Sequence, residues 1–255
     1  MPLAPAVIHA DEALPLMPEN PPVPAQPGVG AAIAAAFRQN WVPCLLLNLV
    51  AAALVISYYC WPAVGGMWQA VGEFKIRWSF AFSCVSTMFA AAVMPYFVQW
   101  AMGMLPADDN WRRLGLRMLF WGYRGMEIDL FYRVQGWLFG TGHDAGTLFI
   151  KVLFDQFVLS PLWFVPTYII ALRWIDRGGS LAGLLRSLDR QFWTRTCLSV
   201  LVTNWLIWIP ALVLVYSLPS ALQFPLFTIV MCFFILVVTL IARERREPIP
   251  EGTAG

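Results

Sequence analysis

The sequence predicts an all-α integral membrane protein of about six transmembrane helices, within a range of about four to six, with one interfacial amphipathic helix. Two observations carry that prediction. Of 255 residues, 59% are hydrophobic and 13% are charged, about half the charged fraction of ordinary soluble domains, and mean hydropathy is +0.65. Several apolar runs also reach the roughly 20 residues needed to span about 30 Å of hydrocarbon as a helix. The near balance of 17 basic and 15 acidic residues gives no reason to expect nucleic acid as a partner. The lipid bilayer is the expected partner.

Taken in order, residues 1–30 are rich in Pro and Ala and carry no Lys or Arg, which reads as a disordered tail. The tail lacks the basic region and apolar run of a cleavable secretory signal, and the arginines of a mitochondrial transit peptide. Residues 31–78 read as an extra N-terminal helix and a loop. The AAIAAAFRQN stretch leads into span one, Trp41–Tyr59, and residues 61–77 read as the loop, with a short interfacial helix around Trp68. Span two, Trp78–Leu105, contains Pro95, which removes a helical hydrogen bond and predicts a kink. A polar turn over 106–113 separates it from span three, about 114–139. The TGHDAG break then leads to span four, about 147–173.

The segment 180–192 places Leu181, Leu184, Leu185, Leu188 and Phe192 at helical spacing, with Arg186, Asp189 and Arg190 opposite. Too polar to span, it is the predicted interfacial helix. Spans five (Cys197–Tyr216) and six (Ala221–Ala242) follow, joined by SLPS as a hairpin or as one long broken element. Residues 243–255 are a basic, disordered end. The excess of arginine on one side predicts both termini in the cytoplasm. Many of the 13 tryptophans stand at segment ends and read as interfacial anchors.

Spans three and four hold the unusual chemistry. They contain Arg117, Arg124, Glu127, Asp129, Arg133, Lys151, Asp155 and the amide of Gln156. A charge at a bilayer centre costs roughly 2.5–3.5 kcal/mol on insertion scales, so these groups must face one another, other helices or water. At 1.5 Å per residue, the depths predict cross-helix pairs Asp129–Lys151 and Arg124–Asp155. Local pairs Arg124–Glu127 and Asp129–Arg133 are predicted beside them. At about 100° per residue, Asp129 and Arg133 point nearly opposite to Arg124, so the charges cannot share one seam. Structural pairing is therefore favoured over a water-filled path, with a subset facing a polar cavity.

Gly136 and Gly140 form a GxxxG pattern and Gly122 with Gly125 a second small patch, read as close helix packing, with a homo-oligomer as the other reading. The five cysteines are scattered singly and the two histidines lie far apart, so no metal site, disulfide or cofactor is expected. No HExxH, GxSxG or histidine-backed carboxylate pair is present, so no catalytic residue is assigned and no enzyme expected.

Several motifs in residues 79–242 resemble the 22-kDa peroxisomal membrane protein family, the Mpv-seventeen family. Arg117, Gly122 and the segment from Gly125 to Tyr132 fall on its Arg, Gly and GPxxHxWY positions, with Gly125 and Tyr132 identical. KxxxDQxxxxP is complete as Lys151, Asp155, Gln156 and Pro161. NWxxWP is partly present as Asn204, Trp205 and Trp208 with a displaced Pro210. Met126, Asp129 and Phe131 replace the family's Pro, His and Trp. The resemblance implies a small multi-pass protein of the kind associated with nonselective channel activity. The expected function is a low-selectivity channel or small-solute pore of unidentified solute, the alternative a noncatalytic scaffold in which the buried charges are structural ion pairs. A bacterial inner membrane is the favoured location, with the mitochondrial inner or peroxisomal membrane as the alternative.

Overall fold

A computed structural model describes residues 29–105, 110–177, 179–186, 188–189 and 192–244. Almost all of the tails expected over 1–30 and 243–255 lie outside the described residues. Seven helices carry the described chain: α1 Val29–Cys60, α2 Pro62–Ala101, α3 Trp111–Phe139, α4 Ala145–Asp176, α5 Leu181–Leu185, α6 Phe192–Tyr216 and α7 Ser220–Glu244. Among the described residues there is no strand. Five helices are long and apolar enough to cross a membrane: α1 over Trp41–Cys60, α2, α4, α6, and α7 over Ser220–Val237. The protein is thus an all-α, multi-pass membrane protein. The 29 residues of α3 make a helix of about 43 Å at 1.5 Å per residue, but its charges set it apart from those five.

Packing explains how so charged a helix is accommodated. α3 lies along α2 on one side and touches α4 and α7 on others, while α1 runs along α6 and α7 closes against α1, α2 and α6. The apolar core sits among α1, α6 and α7, where Leu47, Ala51, Ile207, Ala211, Val215 and Val230 are buried. Leu45, Leu49, Ile56, Val85, Leu119 and Phe149 point outward, as expected where the surroundings are hydrocarbon. Trp41, Trp61, Trp78, Trp111 and Trp137 are also exposed.

Three expectations need correction. Residues 61–77 are helical, because Pro62 starts a helix at its first turn and Gly65, Trp68, Gly72 and Lys75 form a buried stripe at helical spacing. Gly72 lies against α7, where a Cβ would meet Leu222 Cδ2 at 3.0 Å, and Lys75 turns toward Asp129 of α3. Of the amphipathic helix expected over 180–192, the described residues form a helix at Leu181–Leu185 and leave it by Arg186, while Ser187, Arg190 and Gln191 lie outside the described residues. Ser180 caps it through the Gly183 amide, Leu184 and Phe192 are buried, and Leu181 and Leu185 are exposed. The GxxxG pair does not pack helices together within the chain: Gly140 ends α3 at φ 84°, and a Cβ on Gly136 would meet only Thr141, at 3.7 Å. The small patch that does pack is Gly122 with Gly125, against α2.

The long helices also carry local irregularities. α2 breaks at Ser79, whose φ of 47° and ψ of −123° are not helical, and a π-helical turn, Phe89–Val93, precedes Pro95. That wide turn absorbs the hydrogen bond Pro95 cannot make. α4 has a longer π-helical stretch, Asp155–Phe164, around Pro161 and just before Pro166. Here Asp155, Gln156 and Ser160 are all buried.

Asp144 caps α4, accepting hydrogen bonds from the Thr147 hydroxyl at 2.7 Å and the Thr147 amide at 3.0 Å. These bonds, the hydroxyl's first, hold its carboxyl below the ordinary carboxylate range. A depressed folded-state value means the cap's contribution is present above an unfolded carboxyl pKa of about 3.9 and is lost as pH falls through the folded value. Asp144→Ala is expected to lower the melting temperature at neutral pH. Parent and variant curves should converge in strong acid, and a pH-independent gap would refute the assignment.

Candidate functional site

The polar groups of α3 divide between two faces of the helix. On the α2 face, Asp129 is 1% exposed and accepts from Lys75 Nζ at 2.7 Å, Ser83 Oγ at 2.9 Å and Arg133 Nη2 at 3.1 Å. Arg133, about half exposed, also donates to Ser79 Oγ at 2.8 Å and lies over the Phe80 ring. The broken turn at Ser79 therefore holds a residue bonded to this cluster. Carboxylate and ammonium leave water together, which makes two buried charges tolerable.

On the face toward α4, Arg124 donates to Glu127 Oε2 and to the Phe164 carbonyl, with its guanidinium 5.0 Å from the Phe164 ring centroid and 5.9 Å from that of Phe120. Glu127 Oε1 accepts from Trp163 Nε1 at 2.7 Å and Tyr123 Oη at 3.0 Å. The pair is internally neutral and well supplied with hydrogen bonds. Arg117, nearer the start of α3, lies 3.7 Å from Asp176 at the end of α4.

A third group is built on the π-helical stretch of α4. Asp155 accepts from Tyr216 Oη at 2.9 Å, Gln156 Nε2 at 2.9 Å and Gln135 Nε2 at 3.5 Å. Gln156 then accepts from Asn204 Nδ2 at 3.0 Å through its side chain and from Trp205 Nε1 at 2.6 Å through its carbonyl. Asn204 also reaches Ser160 Oγ at 3.4 Å. Lys151, one turn before Asp155 and 2% exposed, places its amine 5.7 Å from the Tyr216 ring centroid. The Tyr132 hydroxyl and Gln135 Oε1 are buried without a hydrogen-bond partner.

Beside this group lies a cavity of about 330 Å³ between α3, α4, α6 and α7, at the small end of the usual range for ligand pockets. Arg124, Asp155, Gln156, Ser160 and Asn204 are its main polar lining. The rest is chiefly aromatic and aliphatic, including Trp121, Phe131, Tyr132, Phe164, Tyr168 and Trp208.

The structure brings together most of the residues singled out from sequence but pairs them differently. The local pairs Arg124–Glu127 and Asp129–Arg133 are present. The cross-helix pairs are not: Asp129 takes Lys75 rather than Lys151, and Arg124 and Asp155 bond to other groups. Depth along a span set the expected partners, but α3's two faces point these side chains to different helices. Among the family-like positions, Gly122 and Gly125 pack on α2, Tyr132 and Trp208 line the cavity, and Asn204 and Trp205 bind Gln156. Pro161 lies within the π-helical stretch. Sequence reasoning missed Lys75, Ser83, Gln135, Ser160, Trp163 and Tyr216. The stripe Trp68, Gly72, Lys75 was the available signal for the first.

Comparison with family models, curated proteins and solved structures finds no match to this chain.

Proposed function

We propose that this multi-pass membrane protein is a small-solute pore or carrier, noncatalytic, in which the cavity between α3, α4, α6 and α7 is the solute site. The cavity itself carries the reading: about 330 Å³ of space bordered by polar groups from three helices, α3, α4 and α6, in an otherwise apolar bundle. The cavity is partly open to its surroundings, as a site that takes up a solute must be. The pi-helical stretch of α4 on one wall is a deformable element of the kind frequent at functional sites.

Solute passage is tested by flux of small polar and amphiphilic solutes into liposomes and by conductance in planar bilayers. The parent is set beside Val200→Trp, which adds bulk to the cavity wall. Expected is flux by the parent and at least about tenfold less by the variant, the scale set by removal of a binding site, with both proteins folded. Equal flux, or a silent parent, sinks the reading.

The scaffold reading has its own support, since the charges of α3 are largely neutralised by one another. Those pairs argue against a continuous charged path, and the Lys75–Asp129 group is read as structural. Family membership is proposed on the motif residues: Asn204 and Trp205 both donate to Gln156, about 50 positions away. A bacterial inner membrane with both termini cytoplasmic is proposed on the arginine distribution.

A further inference from the structure

We infer that the solute class of this cavity is a compact lipophilic cation, an arylalkylammonium or quaternary ammonium, held by Asp155 and the surrounding rings. The inference rests on the reading of the cavity as a solute site and adds the sign of the charge it takes.

The argument is one of charge accounting. Among the described residues, Arg124 and Asp155 are the charged groups lining the cavity. Arg124 is already occupied by Glu127, the Phe164 carbonyl and two rings. It offers an anion little. Asp155 is 6% exposed and bonded by neutral donors alone, Tyr216, Gln156 and Gln135. It forms no ion pair among the described residues. Lys151, the nearest base along α4, rests on the ring of Tyr216, whose hydroxyl serves Asp155, and makes no ion pair either. A buried carboxylate with no direct ion-pair partner among the described residues is an expensive arrangement that a bound cation relieves.

Two further features point the same way. Trp121, Phe131, Tyr132, Phe164, Tyr168 and Trp208 line the walls, and the negative face of an aromatic ring attracts a desolvated cation, as in the aromatic cages that hold quaternary ammonium groups. The volume admits about eleven water-sized groups at roughly 30 Å³ each, which suits one ring and a short cationic arm.

The test measures binding of three matched probes to the purified full chain in nanodiscs by tryptophan fluorescence, corrected with protein-free nanodiscs: benzyltrimethylammonium, its carbon isostere neopentylbenzene, and 3-phenylpropionate. The parent is expected to bind the cation at least about tenfold more tightly than the isostere, and the anion most weakly. Asp155→Asn should bring cation and isostere to within about threefold while leaving isostere binding intact. Equal affinity for cation and isostere, or preference for the anion, overturns the inference and leaves the cavity reading standing. Binding of none of the three overturns both. Should Asp155→Asn fail to fold, the parent's cation-to-isostere ratio decides, with Trp208→Leu expected to weaken the cation more than the isostere.

Discussion

Asp129→Asn is expected to destabilise the protein by about 3–5 kcal/mol, the cost of removing one partner from a buried ion pair. The amide could still meet Ser83 Oγ, but it cannot neutralise Lys75, which is 7% exposed and has its ammonium 2.7 Å from the carboxylate. Arg133 can turn to water, so Arg133→Gln should cost much less, about 1 kcal/mol or under. Lys75→Met should be nearly as damaging as Asp129→Asn, because it leaves the carboxylate buried. The double change Lys75→Met with Asp129→Leu should recover most of the loss, since an apolar pair carries no desolvation cost. Exchanging the charges, Lys75→Asp with Asp129→Lys, should recover part of it. Unfolding titrations in mixed micelles measure all five variants. Additive losses in the double variants would rule out the pair as the source, and so would a Lys151→Met change as large as Lys75→Met.

Gly125→Ala is expected to be the costliest of three otherwise equivalent glycine changes in α3. A Cβ there would run into the backbone carbonyl of Ser83 and the side chain of Thr87, neither at the end of a flexible chain. Separating α2 from α3 to make room would also stretch the Asp129–Ser83 bond nearby. A loss at or above the upper end of the 1–3 kcal/mol typical of overpacking is expected. Gly122→Ala should cost less. Its Cβ would meet Cys84 Sγ and Met88 Sδ, each at 2.9 Å, and a methionine side chain can move. Gly136→Ala should be neutral or slightly stabilising, as its Cβ meets nothing closer than 3.7 Å and alanine is the better helix former. The same titrations rank the three, and a Gly136 effect equal to that of Gly125 would mean the α2–α3 interface is placed wrongly.

How much was legible from sequence varied with the physics of each feature. The membrane helices were readable because insertion depends on a sum of local transfer energies along about 20 consecutive residues. Pro95 announced the irregular turn in α2, since a missing N–H acts on its own helix, whereas the π-helical stretch around Pro161 in α4 was not anticipated. Arg124–Glu127 and Asp129–Arg133 followed from three- and four-residue spacing. Residues 61–77 were misread because Gly65, Gly66 and three charges resemble a loop until α7 and α3 supply something for the helix to bury against.

The sequence by itself determined the class of the molecule, the approximate course of its spans and the fact that α3 and α4 bring charge into them. Only the tertiary structure decided which charges meet. Lys75 and Ser83 reach Asp129 across 54 and 46 positions, and Asp155 takes Tyr216 across 61. Such choices depend on how helices are rotated about their axes. Rotation is set by the close approach at Gly122 and Gly125 and by the packing of α1, α6 and α7, terms that belong to pairs of helices and appear in no single segment.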